Sequence, residues 1–446
     1  MQKNSPGNSH EKTKLSSNAT TGGTIPHPIA TMGRFFGDGG MIELVRSNQQ
    51  AVPELLLFDG EKSTRGARVS YKGQQYEPAR IDRTLLEHLT LPTKCYAHRS
   101  TGELRTGICR VIANFVGLGE KYTDIAGRIV LGTAMADSMP IAPALLIVGP
   151  DVDRGDQFMN VLHCLCRHAL PLTGVSPASF RSLPSGGRFT FLITQPTLSY
   201  SLQNLFDDAS KRDQKIPSRG GLLDLFGVQI FRSESFLEND CWPYRSIKIP
   251  MIHTGQAIPP FDQETQERIA SEFQAKLLDF RRTKLTAARS LTFDASKFNA
   301  TLRNLARSLA TATPDDRDLQ AEIFDLLRDQ NEDLRSARWI DPSVIAVEAL
   351  LVACNESPGE MMYVAELSRL AEATLRGRGE EATIDPGVFG KRLKLLGFVT
   401  EPRDARGVQL QLTDKVRNHA LALARELGAP EGENGRAGSA HVADDA

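Results

Sequence analysis

Long apolar runs, paired cysteines and net charge are what this chain has least of. In 446 residues the longest apolar stretches are Pro140–Val148 and Val344–Ala353, roughly half of the ~20 residues that a bilayer core requires. No membrane span is expected. The opening MQKNSPGNSHEKTKLSSNATTGGT has no apolar centre and does not read as a secretory signal. Six cysteines (95, 109, 164, 166, 241, 354) are scattered with no CxxC pair, which fits reduced thiols and a cytoplasmic location. Lys and Arg total 53 against 54 Asp and Glu, for a formal charge of -1. No global field therefore draws the protein onto nucleic acid or membrane, and any basic surface must be local.

Two kinds of catalytic or metal chemistry are also missing. Ser176, Ser179 and Ser182 form no nucleophile elbow, and no His and acid partner is placed beside them, so a hydrolase reading has no support. His163, Cys164, Cys166 and His168 have the composition of a metal set. On a helix, however, side chains two positions apart point roughly 200° apart, so the two thiols do not share a tetrahedral zinc. No metal is expected.

What is present is an ordinary globular composition, 40% hydrophobic and 24% charged, long enough for two or three domains. Residues 1–40 are rich in Ser, Asn, Thr, Gly and Lys and are expected to be disordered. The 41–139 region reads as a small hairpin element (Leu55–Phe58 and Arg68–Tyr71) and helices over Thr84–Leu89 and Thr106–Ala136. From 140 to 260, short β-like runs (Ala144–Val148, Phe189–Thr194, Val228–Arg232, Ser246–Ile249) alternate with helical stretches. That alternation predicts an α/β layer with a mostly parallel sheet. A helical connector over 261–357 starts with the amphipathic run Asp262–Arg289, a compact unit fills 358–428, and 429–446 is a second expected tail.

The centre of the chain carries the most specific motif. The strand Ala144–Val148 runs into Gly149-Pro150-Asp151-Val152-Asp153-Arg154-Gly155-Asp156-Gln157 and then a helical run, Phe158–His168. Strand, glycine loop and helix are the context of a phosphate-binding P-loop. With Arg188–Gln195 in the place of a metal-holding strand and Gly227–Ser233 as a later core strand bearing a polar sensor residue, the region resembles a P-loop NTPase of the helicase or AAA-like kind.

The chain departs from that family at the residues that do its chemistry. Five residues, Pro150–Arg154, separate the glycines, and Asp156-Gln157 stand where lysine and a hydroxyl belong. The lysine neutralises phosphate charge and the hydroxyl binds Mg²⁺, whereas an aspartate repels a triphosphate. The second strand ends in Thr194-Gln195, so the other metal ligand is missing as well. ATP hydrolysis is not expected. Binding of ATP without turnover stays open through Gly149, Arg154 and Gly155, because guanidinium binds phosphate and a helix start favours anions. The favoured reading is that both glycines only shape a tight connection. No cofactor is expected.

The second informative region is 361–428. A helix from Met362 is followed by a turn through Arg376–Glu380. A second helix is capped by Asp385, starts at Pro386 and is ended by Gly397, each residue in its favoured position. Thr400–Arg406 and Val408–Leu412 form a ribbon, and Asp414–Leu427 a last helix. The pattern LKLLGFVT…RGVQLQLT resembles the winged-helix fold over about seventy residues. From Gly387 to Arg425 there are eight Lys and Arg against three acids. The resemblance places Lys391, Arg392 and Lys394 on a recognition helix and Arg403 and Arg406 on a wing, where they meet phosphates or base edges. A second basic run, Lys276–Arg289, reads as the solvated face of a helix.

Taken together, a P-loop-like core, a helical connector and a C-terminal winged helix resemble helicase-like ATPases of mobile elements with degenerate Walker motifs. No primase-type acidic motif is visible in the N-terminal third. The resemblance implies a DNA-binding protein without working nucleotide chemistry, accessory to replication or mobilisation of an element, with proteins of those processes as partners. Two alternatives stand beside it: an atypical DNA-stimulated ATPase, and a scaffold whose winged helix grips another protein. A homo-oligomeric ring stays open, with Arg167, Arg181 and Arg219 as arginine-finger candidates by residue type alone.

Overall fold

The structure, a computed structural model, describes residues 27–47, 52–60, 62–234, 244–253, 255, 257–339, 341–378, 383–404 and 407–429. For 335–339 and 402–404 it gives the course of the backbone only.

Two small sheets open the described chain. Strand β1 (Ile29–Thr31) is followed by β2 (Gly33–Phe35), β3 (Met41–Arg46), β4 (Pro53–Asp59), β5 (Lys62–Gly66), β6 (Val69–Tyr71) and β7 (Gln74–Pro78). Strands β2 to β5 form an antiparallel meander, while β7 pairs with β6 and, in parallel, with β1. The sequence reading found β4 and β6 and missed β3. That strand, MIELVR, is buried at five successive positions, so it lacks the alternation that marks a half-exposed strand.

Helices α1 (Arg83–His88), α2 (Thr101–Val116) and α3 (Glu120–Ala134) come next. The single helix expected over 106–136 is two, because Gly117 adopts φ +67° and ends α2 with a left-handed residue.

The central layer comprises β8 (Ala144–Val148), α4 (Val152–Leu165), β9 (Ala169–Thr173), α5 (Pro177–Phe180), β10 (Thr190–Thr194), α6 (Tyr200–Ala209), the hairpin β11 (Ile216–Ser218) and β12 (Gly221–Leu223), β13 (Val228–Ser233) and β14 (Ser246–Pro250). Five strands form one sheet in the order β14-β8-β13-β10-β9, with every pairing parallel. The expected α/β layer with a parallel sheet is therefore present, with β9 as an edge strand that the sequence did not reveal.

Alternation along the strands builds the two faces. Leu145 and Ile147 of β8 join the core made with α2, α3, α4 and the long helix α7 (Gln263–Ser290). Ala144, Leu146 and Val148 join the opposite core, made with α6 and the N-terminal strands. Helix α7 carries Ile269, Phe273, Leu277 and Phe280 into the first of these cores, so it belongs to the central layer and not to a separate connector. Helices α8 (Arg303–Ala310), α9 (Arg317–Ala321), α10 (Ile323–Leu326) and α11 (Arg328–Trp339) follow.

The C-terminal unit holds α12 (Pro342–Glu356), β15 (Met361–Tyr363), α13 (Val364–Arg376), α14 (Pro386–Leu395), β16 (Glu401–Asp404), β17 (Gly407–Gln411) and α15 (Asp414–Leu427). The strands form a sheet in the order β15-β17-β16. Val344, Ile345, Val347, Leu350 and Leu351 of α12 share one core with Leu367, Phe389, Leu393, Leu410 and Ala420. The unit thus starts near 341 and not at 358.

A buried charge network ties the first meander to the central layer. Glu43 of β3 accepts from Arg167 Nε at 2.7 Å and Arg281 Nε at 3.0 Å, with His168 Nε2 3.2 Å away. Arg281 also donates to the Ala134 carbonyl at 2.7 Å and pairs with Asp137. Burial pushes the Glu43 carboxyl up, but Arg167, Arg281 and His168 outweigh it and hold the group well below the usual carboxylate range. Asp137 behaves alike: burial opposes ionisation, and Arg281, Arg167 and Arg188 override it.

Candidate functional site

The glycine loop lies at the carboxyl end of β8, the rim where open α/β sheets bind ligands. Its length differs from the sequence reading. Helix α4 starts at Val152, six residues before the expected Phe158, so only Gly149, Pro150 and Asp151 form the connection. The cause is Asp151, which caps the helix by accepting from Arg154 N at 3.2 Å.

The amides of this turn are already engaged. Gly149 N donates to Ser233 O (3.2 Å), Asp151 N to Met251 O (3.3 Å), Val152 N to Pro150 O (2.9 Å) and Gly155 N to Asp151 O (3.0 Å); Pro150 has no N–H. Gly149 has φ +144°, and a Cβ there would stand 2.2 Å from the Met251 carbonyl oxygen. The glycine serves a close backbone crossing between the ends of β8 and β14. The Asp151 carboxylate takes the helix-start position that favours an anion, with His253 Nδ1 at 3.2 Å and Arg154 Nε at 3.4 Å from its Oδ2.

Gly155 lies within α4 and not in a loop. A Cβ on it would be 3.1 Å from Arg232 Nε. Arg232 comes from the end of β13, pairs with Asp156 at 3.0 Å and donates to the Val152 carbonyl at 3.2 Å. Arg154 is only 6% exposed. The three residues proposed for phosphate thus sit together, but as parts of an interlocked helix start.

Strand β13 lies between β8 and β10. At the end of β10, Gln195 accepts from Val175 N at 3.0 Å and donates to Thr197 O at 2.8 Å, while Ser233 of β13 donates to Pro196 O at 3.1 Å. Both polar rim residues bind loops of the rim itself.

The histidines and cysteines of 163–168 diverge. His163 Nε2 meets the His88 carbonyl at 2.9 Å, and His168 turns to Glu43 and the Gly187 carbonyl. Cys164 and Cys166 are buried in the apolar core. Burial raises both thiols, Cys164 to about 12. Of the finger candidates, Arg167 is committed to Glu43 inside the protein, which removes it from any surface role, whereas Arg181 and Arg219 are exposed.

A second site lies in the C-terminal unit. Helix α14 is capped by Asp385, whose Oδ1 accepts from Val388 N at 2.8 Å, starts at Pro386, and is ended by Gly397 at φ +85°. A groove of about 370 Å³ runs between α14, the start of α13 and the β17 end of the ribbon. Lys391 and Lys394 line it, and Gly387, Gly390 and Gly407 leave its floor without side chains. Arg392 points elsewhere, half-buried, with Nη1 3.4 Å from Ser343 Oγ on α12. Arg403 lies on β16 with its side chain outside the described residues, and Arg406 is wholly outside them. The exposed face of α14 also carries Val388 and Leu395, 62% and 80% exposed, with Val399 beyond at 84%. The groove glycines and Tyr363 were not singled out from sequence; glycine at three-residue spacing on a capped helix (387, 390) was the available signal.

No family model matches the chain, and no curated protein matches it in sequence. Among solved structures it is similar to an apo form of the NrS-1 C-terminal region, at 10% identity and TM-score 0.35 over 83% of this chain and 96% of that one. It is also similar to Drosophila ORC bound to DNA (13% identity, TM-score 0.19, 72% of this chain and 91% of that one). A third is Cdc6p from Pyrobaculum aerophilum (10% identity, TM-score 0.20, 72% and 93%). Among the described residues, no helix is long and apolar enough to cross a membrane.

Proposed function

We propose that the protein binds DNA through a C-terminal winged helix, and that its central layer is a P-loop-type core whose nucleotide chemistry has been replaced by structural contacts. The observation that carries the reading is the groove between α14 and the ribbon. Two lysines line it, and three glycines keep its floor open, within a segment holding a surplus of five positive charges (eight against three) in a chain of net charge -1. Lysine ammonium groups meet phosphates as point charges, and a helix with a bare edge fits against a duplex.

In the central layer, the turn at Gly149 commits its amides and its helix start to protein partners, with the Asp151 carboxylate seated there. This supports a role without ATP turnover, and with it we propose a part accessory to replication or mobilisation of a mobile element. The test is binding of a labelled duplex by the full chain, with ATP turnover measured with and without DNA. Lys391→Ala combined with Lys394→Ala is expected to weaken binding and reduce the salt slope by about two. Unchanged affinity in the double variant would overturn the assignment, and DNA-stimulated turnover would overturn the non-catalytic core.

One observation favours a second reading. Val388, Leu395 and Val399 are 62%, 80% and 84% exposed on and just beyond α14, an apolar content suited to a protein partner. A complex that survives nuclease treatment and is lost on Leu395→Asp would select that reading.

A further inference from the structure

The amino ends of the sheet strands, opposite the Gly149 turn, hold an open cleft of about 660 Å³. That is within the range of small-molecule sites. Its walls come from the Asp137–Pro140 segment, the end of α7, the 291–293 connection and α8. Three arginines line it: Arg212, Arg289 and Arg307.

Several arginines of the molecule are matched by carboxylates, Arg128 by Asp124, Arg188 by Asp224 and Arg232 by Asp156, while others such as Arg46 are held by carbonyls. The three around this cleft have no carboxylate match. Arg212 donates to the Ala136, Asp137 and Met139 carbonyls, Arg289 stacks 4.8 Å above the Phe35 ring, and Arg307 donates to Asn304 at 3.2 Å. Each partner is neutral, and among the described residues no carboxylate lies within 4.0 Å of any of the three guanidinium groups. The one acid in the wall, Asp137, is paired with Arg281 and Arg188. Asp213 and Asp294 act on Arg212 and Arg307 only through space.

Burial lowers the Arg212 guanidinium below its ordinary value, with Arg188 and Arg289 adding to it against the opposing charges of Asp137 and Asp213. The Ser138 hydroxyl in the same wall is buried without a hydrogen-bond partner. Arg212 is half-buried while Arg289 and Arg307 are exposed, and a half-buried cation held by neutral groups is costly unless counter-charge completes it. Planar guanidinium forks match phosphate oxygens, and Leu291 and Phe293 give the cleft an apolar side.

We propose that this cleft binds the phosphate of a nucleotide, with the exposed Arg289 and Arg307 as clamps and Arg212, its N–H groups committed to carbonyls, as a fixed positive charge behind them. The site is independent of the α14 groove. The phosphate belongs either to a polynucleotide chain or to a free nucleotide, and two probes separate the sources: a fluorescein-labelled single-stranded oligonucleotide followed by anisotropy, and ATP without metal followed by calorimetry.

The variants are Arg289→Ala with Arg307→Ala, and the charge-keeping Arg289→Lys with Arg307→Lys. Both positions are exposed, and melting curves check that the fold persists. Lys391→Ala with Lys394→Ala is measured in parallel. The alanine pair is expected to weaken at least one probe about tenfold, roughly the loss of 1.4 kcal/mol, and the lysine pair to restore part of it. If the oligonucleotide is the ligand, its salt slope also falls by about 1.4, additively with the α14 pair. Wild-type affinity for both probes in a folded alanine pair overturns the proposal, as does failure of the wild type to bind either probe. Loss confined to the α14 pair overturns it while leaving the duplex reading intact.

Discussion

Gly149 has two possible roles in the sequence, a phosphate cradle or a tight connection, and its geometry fits the second, the one the sequence reading favours. A glycine after a buried strand suggests a phosphate cradle, yet here its missing Cβ leaves room for the Met251 carbonyl, 2.2 Å from where that atom would stand. The two roles make opposite predictions. Gly149→Ala is expected to cost stability, about 2 kcal/mol or more from the positive φ alone, read by chemical denaturation. A loss of nucleotide affinity at unchanged stability would contradict this account. Gly155→Ala meets only a side chain, Arg232 Nε at 3.1 Å, and should cost less than Gly149→Ala in the same measurement.

Among the elements, helix α4 begins with its own anion. Replacing Asp151 by alanine removes a cap worth about 1 kcal/mol and leaves Arg154 and His253 facing an empty helix start. Sulfate is therefore expected to raise the melting temperature of Asp151→Ala more than that of the wild type; equal responses would show that the carboxylate does not fill an anion position.

Helix α12 gives a second test. A fragment starting at 341 should unfold cooperatively by circular dichroism, and one starting at 358 should not, because Val347, Leu350 and Leu351 complete its core.

Elements with a marked start or a clear period were readable from sequence. Asp385 caps α14 as expected, the run expected over Asp262–Arg289 is the helix Gln263–Ser290, and Asp414–Leu427 is helical to the residue. Elements buried on every side were harder. Helix α12 is apolar all round, as a fully enclosed helix must be, so no stripe showed which core it serves. The same holds for β3. The α14 lysines were legible as a cluster, but the outward turn of Lys391 and the inward turn of Arg392 depend on the contact with Ser343, which lies 49 residues away.

At the scale of the molecule, buried charge joins the first meander to the central layer, and this sets the response to acid. Glu43 and Asp137 have folded values depressed below their ordinary 4.5 and 3.8. The unfolded chain therefore binds protons first, so their stabilisation is complete above about pH 4.5 and is lost as the pH falls toward the folded values. Burial also depresses His163 and His168 from 6.5, with Arg167 adding to the effect at His168, so a smaller loss starts near that pH in the same direction. The melting temperature should fall in two stages on acidification. Glu43→Gln should blunt the second stage and destabilise at pH 7 by about 3–5 kcal/mol, since Arg167 and Arg281 lose a buried partner. A pH profile identical to wild type in a folded Glu43→Gln protein would show that the network does not govern acid stability.

The pairing of Glu43 with Arg281 joins residues 238 positions apart. At a synthesis rate of roughly 5–20 residues per second, the carboxylate leaves the ribosome about 10–50 s before its second arginine exists. Through that interval the carboxylate has at most the first of its two arginines, Arg167, 124 residues away, and the meander has no finished floor to settle on. The two ends of this contact are close in the folded molecule and distant in time, so the first sheet to be made is among the last to be locked.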